Sequence, residues 1–194
     1  MNKETIQQLS QNIFNDVVAN RRHLHSHPEL SFHETETSAF VAQKLDDLGL
    51  EYVHMADKGL VALIKGSKPS DKVVALRADM DALPITEAND VPYKSQNSGV
   101  MHACGHDAHT SSLLGTATIL TQLKDQFAGT IKLIFQPAEE KLPGGASLMI
   151  KEGVLENPKP QAVIGQHVMP LIDAGKVGFR SGKYMASTDE IYVT

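Results

Sequence analysis

The chain has 194 residues, 41% of them hydrophobic, which is enough to bury a sizeable core in one domain. Its 18 basic and 23 acidic residues give a net charge of −5 with no basic block, which argues against nucleic-acid and anionic-membrane partners. A single cysteine excludes an internal disulfide, and without an apolar signal core or a run of transmembrane length we expect a cytoplasmic protein.

A first helix is predicted over residues 4–25. Apolar residues recur there at helical spacing, at Ile6, Leu9, Ile13 and Val17. Pro28 disfavours the helical conformation in the residue before it, so we expect the helix to end near His27.

A second helix is predicted to follow directly. Ser31 and Glu34 have the spacing of a capping box, which would mark its amino-terminal end. Gly49 is the expected stop, because glycine is common just beyond helix ends. The buried stripe of this helix would consist of Val41, Leu45 and Leu48.

Strands alternate with helices in the rest of the chain. Short apolar runs predict buried strands at residues 61–64, 73–76, 131–135 and 162–165. Helices are predicted between them, at residues 107–126, which Asp107 would cap, and at residues 145–152. This alternation predicts an α/β fold with a mostly parallel central sheet and helices on both faces, that is, a three-layer αβα sandwich.

Polar motifs follow three of these strands at the point where each strand ends. Asp79 and Asp81 follow the second run, Glu139 and Glu140 the third, and His167 the fourth. Ligands of open α/β sheets bind beyond the carboxyl ends of the strands. We therefore expect these side chains to share one edge of the sheet, where they would build a site.

Cys104 and His106 lie two residues apart in a loop whose Gly105 permits a tight backbone. Thiolate and imidazole are good ligands for divalent transition metals. Taken alone, the pair is equally compatible with a buried cysteine next to a helix cap, since cysteine often behaves as a small core residue. The distant carboxylates and histidine favour the metal site.

Adjacent carboxylates in a loop need not point the same way. One of Glu139 and Glu140 could therefore bind a metal while the other holds a water and moves its proton. A solvated acidic turn without a chemical role is the alternative interpretation of the same two residues. His167 is compatible with either a ligand or a buried core histidine. Together with Cys104 and His106, these residues indicate a hydrolytic metal centre.

Other polar residues have less specific signals. His102 and His109 flank His106 and are interpreted as ligands, hydrogen-bond donors to ligands or substrate contacts, ranked below His106. Asp79 and Asp81 are expected to orient ligands by hydrogen bonds. Exposed histidines with little chemical role are expected at His23, His25 and His54.

Five motifs in this order resemble one known family. They are His25-Ser-His-Pro-Glu-Leu30, Arg77-Ala-Asp-Met-Asp-Ala-Leu-Pro84, Met101-His-Ala-Cys-Gly-His-Asp-Ala-His109, Phe135-Gln-Pro-Ala-Glu-Glu140 and Met185-Ala-Ser187. Together they resemble the metal-dependent amidohydrolases that include hippurate hydrolases, indole-acetyl–amino acid hydrolases and N-acetyl-diaminopimelate deacetylases. The match spans nearly the whole chain, and the set is highly specific.

The resemblance implies a chemical role for each of five residues. Cys104, His106, Glu140 and His167 would be metal ligands, and Glu139 would be the general base. The expected activity is hydrolysis of the amide bond of N-acyl amino acids, a small-molecule substrate, by a water that one or two divalent ions activate. Zinc or manganese is expected, with cobalt or nickel as alternatives.

The resemblance also implies two domains, a zinc-exopeptidase-like catalytic domain and a smaller lid that often mediates dimerisation. Residues 1–183 are assigned to the catalytic domain and residues 184–194 to the start of the lid. Late strands are predicted at residues 176–180 and 190–194. A further ligating histidine and the groups that hold the substrate carboxylate would lie beyond this chain, and the lid would form a homodimer or higher homo-oligomer.

The same residues are also compatible with other functions. A metallo-exopeptidase acting on dipeptides or short peptides, or an N-carbamoyl hydrolase, would use similar chemistry. A thiol hydrolase would make Cys104 the nucleophile with a histidine as base. A structural zinc site in a binding module would need a closed shell of four ligands, whereas the spare Glu139 favours an enzyme.

Overall fold

A computed structural model describes residues 2–183 and 185 of the chain. The helices are α1 (Lys3–Asn12), α2 (Phe14–Ser26), α3 (Thr35–Asp47), α4 (His106–Gln122) and α5 (Gly145–Lys151), with a short 3-10 helix at Lys124–Gln126. The strands are β1 (Tyr52–Met55), β2 (Gly59–Lys65), β3 (Lys68–Asp79), β4 (Ala128–Gln136) and β5 (Ala162–Gly165).

The strands form one open sheet in the order β1-β2-β4-β3-β5. β3 runs parallel to β4 and β5, whereas β2 runs antiparallel to β1 and β4. The predicted α/β class is confirmed, and the sheet is mixed because β1 and β2 form a hairpin. Ala56 and Asp57 adopt positive φ in its tight turn, a conformation that suits the twist of a hairpin.

Helices cover both faces of the sheet, so the described residues form three layers. Successive residues of β2 and β4 point to opposite faces, as the pleat requires. The face covered by α3 and α4 buries Val41, Leu45, Leu60, Ala62, Ile64, Ala78, Met80, Leu113, Leu114, Ala117, Leu133 and Phe135. The opposite face, covered by α5, buries Ala56, Val61, Ala75, Ile134, Met149 and Val154.

The first predicted helix is two consecutive helices, α1 and α2, that meet at Ile13. Ile13, with φ −94° and ψ 0°, departs from helical geometry and separates the two helices. None of the described residues of α1 is buried, while α2 packs on α4 and buries Leu24, His25 and Ser26. The apolar stripe thus does not continue as one buried face across both helices.

At the amino-terminal end of α3, the side chain that caps the backbone N–H groups belongs to neither Ser31 nor Glu34, the two residues predicted to form a capping box. Glu29 accepts hydrogen bonds from the backbone N–H groups of Thr35, Glu36 and Thr37, at 3.1, 3.1 and 2.8 Å. Ser31 and Glu34 are buried and bond elsewhere, so the capping box predicted from their spacing is wrong. Asp107 likewise lies in the first turn of α4, whose N-cap is Gly105.

Residues 176–180, predicted as a strand, have no strand pairing in the structure, and Phe179 is 91% exposed there. The predicted strand at residues 190–194 and nearly all of the segment assigned to the lid, residues 184–194, lie outside the described residues. No described helix is long and apolar enough to cross a membrane.

Candidate metal centre

The polar motifs meet at one edge of the sheet, as predicted. Asp79 lies opposite Gln136 where β3 and β4 end, and Arg77 lies opposite Gly165 at the end of β5. The residues that follow these three parallel strands therefore emerge side by side, next to the first turn of α4.

His106 is the central residue of the site. Its side chain is buried, and Nδ1 lies 3.1 Å from Oδ1 of Asp81, so Nδ1–H donates to that carboxylate. In the neutral ring Nε2 then carries the lone pair, and this atom lies 3.7 Å from Oε1 of Glu140 and 4.0 Å from Oε2 of Glu139. Among the described residues Nε2 has no hydrogen-bond partner.

A buried nitrogen without a hydrogen-bond partner destabilises the folded protein unless a ligand binds it. Two groups of side chains around His106 have ligand atoms within 4.8 Å of one another: Cys104, His106 and His167 form one, and His106, Glu139 and Glu140 the other. Thiolate, imidazole and carboxylate together suit a divalent transition metal. The residues present thus fit the divalent ion predicted from the sequence.

The turn that carries Glu139 and Glu140 is held by two buried carboxylates. Ala138, at φ +47°, donates its N–H to Oε1 of Glu34 at 2.6 Å. Glu140 donates its N–H to Oδ2 of Asp81 at 3.0 Å. Because Asp81 also accepts from His106, one carboxylate positions two of the predicted ligands. The outer support from Ser31, whose hydroxyl donates to Asp81 at 2.6 Å, was not predicted.

Cys104 and His167 meet on the exposed side of the site. Sγ of Cys104 lies 3.4 Å from Nε2 of His167. Burial and the neighbouring Glu140 carboxylate raise the pKa of the Cys104 thiol to about 12. The thiol is therefore protonated at neutral pH in the metal-free protein, unlike an activated cysteine nucleophile. This environment does not support the thiol hydrolase.

Glu139 is more exposed than Glu140, with 41% against 23% of its side chain accessible. Burial, and then the adjacent Glu140 carboxylate, raise the pKa of Glu139. A raised pKa makes a carboxylate a stronger base. The two neighbours thus differ in exposure and in basicity, as two different roles require.

Asp79, His106 and His109 form a third group of close ligand atoms, all buried. His109 Nδ1 lies 2.6 Å from Oδ1 of Asp79, and His109 Nε2 accepts the Val168 N–H at 2.9 Å. Both ring nitrogens are thus occupied by protein groups. Burial alone would raise the pKa of Asp79, but the bond from His109 and the charge of Arg77 lower it to about 2.

A buried ionic network lies behind α4 and was not predicted. His25 contacts Asp107 through Nδ1 at 2.7 Å and Glu87 through Nε2 at 3.0 Å, and Arg21 contacts Asp107 at 2.8 Å. His25 is 3% exposed, so its assignment to the exposed histidines is wrong. Its position in the first motif of the resemblance was the only signal, because helical periodicity says nothing about a distant partner.

We expect His25→Gln to destabilise the protein by about 3–5 kcal/mol, because Asp107 and Glu87 lose their shared cationic partner. The hydrogen bond with Asp107 is the main cause that raises the pKa of His25. The stabilisation is therefore complete below the unfolded-state pKa and is lost as the pH rises through the folded-state pKa.

Urea unfolding of wild type and His25→Gln at pH 6 and pH 9 measures this effect. His54→Gln is the control, because His54 is an exposed histidine on β1. The loss from His25→Gln should be larger at pH 6 than at pH 9. An equal loss of stability at both pH values would show that Asp107 and Glu87 do not hold His25 in its protonated form.

Both the sequence and the fold of this chain are similar to those of known proteins. A sequence model of peptidase family M20/M25/M40 matches residues 75–191. The chain is 47% identical over 194 residues to an N-acyl-L-amino acid amidohydrolase of Geobacillus stearothermophilus, of which it covers 52%. The chain spans about half the length of the curated relatives it matches.

Two solved structures share the fold and part of the sequence. The Bacillus subtilis YXEP protein, described as a dinuclear metal-binding peptidase from the M20 family, matches with a TM-score of 0.77 and 41% identity. That match covers 82% of this chain and 44% of the other. An aminobenzoyl-glutamate utilization protein from Klebsiella pneumoniae matches with a TM-score of 0.67 and 26% identity, over 86% of this chain and 46% of that one.

Proposed function

Because the chain belongs to peptidase family M20/M25/M40, we propose that it contributes a metal site to an enzyme that hydrolyses the amide bond of N-acyl amino acids. The family assignment confirms the resemblance seen in the sequence motifs. The substrate class is supported by the relative from Geobacillus stearothermophilus, which carries the name N-acyl-L-amino acid amidohydrolase. The observation that carries the proposal is the buried Nε2 of His106, which lies near two glutamates and has no hydrogen-bond partner in the part of the chain that the structure describes.

We propose Cys104, His106, Glu140 and His167 as the metal ligands. Their support is the pair of overlapping groups around His106 and the influence of Glu140 on the Cys104 thiol. One or two divalent ions are proposed, zinc or manganese first and cobalt or nickel as alternatives, because thiolate and imidazole suit zinc, cobalt and nickel while the carboxylates also admit manganese. Two ions are in keeping with the dinuclear centre ascribed to the Bacillus subtilis protein.

Glu139 is proposed as the general base. The bound ion would acidify a water and polarise the acyl carbonyl. Glu139, which borders the site and has a raised pKa, would take the proton of the attacking water and deliver it to the leaving amine. Asp81 would keep His106 in the Nδ1–H tautomer throughout, because it accepts that proton in a hydrogen bond.

The proposal is tested on the complete gene product by measuring its metal content together with hydrolysis of a panel of N-acyl amino acids. We expect at least one divalent ion per chain, loss of activity on treatment with a chelator and recovery when metal is restored. Activity that survives complete metal removal would contradict the proposal. An acyl-enzyme adduct on Cys104 would favour the thiol hydrolase instead.

A metallo-exopeptidase acting on dipeptides or short peptides is the second candidate, favoured by the description of the Bacillus subtilis structure as a peptidase. Dipeptides with a free amino group belong in the same panel. Faster hydrolysis of these dipeptides than of N-acyl amino acids would assign the peptidase function. N-carbamoyl amino acids test the remaining alternative of the same chemistry.

We further propose that residues 1–183 belong to the catalytic domain and that residues 184–194 begin a lid through which the protein forms a homodimer or higher homo-oligomer. The site lies at the carboxyl-end edge of the sheet, and Glu139 and His167 are exposed there, where a lid could cover them. Light scattering of the complete gene product measures the oligomeric state, and a monomer at working concentration would contradict this part.

A further inference from the structure

His167 needs an external support to reach its position. β5 is four residues long and ends at Gly165, two residues before His167. The His167 side chain is exposed, so the packing of a core does not fix its orientation. Individual contacts must therefore hold its orientation, and the next residue in the chain, Val168, makes several of them.

Val168 supplies two such contacts. Its backbone N–H donates to Nε2 of His109 at 2.9 Å. Its side chain packs on Gly105, where a Cβ atom would lie only 2.4 Å from Cγ2 of Val168. Gly105 has φ +88°, so both the space and the backbone conformation require glycine. Val168 is thus held by its amide and its side chain against the loop that carries Cys104.

The hydrogen bond from Val168 determines which ring nitrogen of His109 carries the proton. An amide N–H only donates, so Nε2 of His109 must present a lone pair, and the ring proton resides on Nδ1. Nδ1–H donates to Oδ1 of Asp79 at 2.6 Å. Asp79 is held in turn by Nη1 of Arg77, at 2.5 Å from Oδ2. Neither ring nitrogen of His109 is free for an ion.

The carbonyl group of the same residue, Val168, orients the ring of His167. Nδ1 of His167 lies 2.6 Å from the carbonyl oxygen of Val168, so Nδ1–H donates to it. Nε2 of His167 therefore carries the lone pair, and this atom lies 3.4 Å from Sγ of Cys104. A shift of Val168 would turn the imidazole of His167 away from the site.

We propose that His109 is a positioning residue for His167, holding it through the Val168 amide, and not a metal ligand. The proposal rests on the proposed metal site. It explains why the buried Asp79–His109 pair lies beside the predicted metal ligands without being part of the ligand set. Asp79 fixes the tautomer of His109, and His109 fixes the loop that carries His167.

Two substitutions of His109 separate its two hydrogen bonds. The amide of asparagine lies near Nδ1 of the original ring, so His109→Asn keeps a donor for Asp79 and loses the acceptor for Val168. Glutamine reaches the position of Nε2, so His109→Gln keeps an acceptor for Val168. Both variants are made in the complete gene product and titrated with Co²⁺, whose absorption spectrum reports the ligands and geometry of the ion.

We expect His109→Asn to weaken Co²⁺ binding by about 10- to 100-fold and to change the spectrum of the bound ion, as loss of a residue that orients a ligand does. His109→Gln should restore most of both. Equal binding and identical spectra in wild type and His109→Asn would overturn the proposal. Loss of one equivalent of Co²⁺ in both variants would also overturn it, because it would make His109 a ligand.

The tautomer of His109 is a second test that needs no substitution and no metal. Long-range ¹H–¹⁵N spectra of the metal-free protein should show a protonated Nδ1 and an unprotonated Nε2. A proton on Nε2 would overturn the proposal even if both variants failed to fold. Wild-type protein that binds no Co²⁺ while showing the expected tautomer would refute the metal site and leave the His109–Val168 contact intact.

Discussion

Glu139→Gln is expected to lower turnover of N-acyl amino acids by about 10²- to 10⁴-fold while metal content stays at the wild-type level. Glutamine has the shape of glutamate but cannot take the proton of the attacking water. The change corresponds to about 3–5 kcal/mol of lost transition-state stabilisation. Steady-state kinetics and elemental analysis of the same purified samples measure the two quantities.

Glu140→Gln is the matched control, because it makes the same chemical change at the next residue. Glu140 lies closer to Nε2 of His106 and is less exposed, so its substitution should lower both metal content and activity. If Glu139→Gln kept wild-type turnover, or if it lost metal as Glu140→Gln does, the assignment of the general base would be incorrect.

His106→Asn is expected to remove most of the bound metal and with it the activity. His106 is shared by every group of close ligand atoms found among the described residues, so no other single substitution should disturb the site as much. The loss of metal affinity should exceed the roughly 10- to 100-fold that loss of an orienting residue causes. Dialysis against a metal buffer followed by elemental analysis measures the affinity.

His102→Asn is the control for burial and for the loss of an imidazole. His102 is buried like His106, and both its ring nitrogens lack partners among the described residues, but it belongs to none of the close groups of ligand atoms. Burial lowers the pKa of His102 to about 4, as expected for a neutral ring in the interior. Equal metal loss in both variants would show that His106 acts only through the stability of the fold.

The strands and their shared edge were predictable because each signal is local. The apolar runs mark β2 to β5, and the polar residues that follow them mark the carboxyl-end edge. β1 and its hairpin were missed because Tyr52–Met55 is short and only partly buried, which leaves no apolar run. The direction of β2 depends on that hairpin, so the mixed character of the sheet could not be predicted either.

The supports of the site could not be predicted because they depend on contacts between distant residues. Ser31 and Glu34 have the spacing of a helix cap, yet they bond to Asp81 and Ala138, which are 50 and 104 residues away. The same holds for the link from Glu87 to His25. Local sequence shows which side chains can accept a hydrogen bond, and only the fold decides which donor they meet.

The sequence separations at the carboxyl-end edge determine when the site can be assembled during biosynthesis. Asp81 and Glu140 are 59 residues apart, and Cys104 and His167 are 63 apart. Contacts of such long range form late, after the intervening chain has collapsed. We therefore expect the ion to enter a scaffold that has already folded, so that a nascent chain released from the ribosome before His167 emerges would hold the ion poorly.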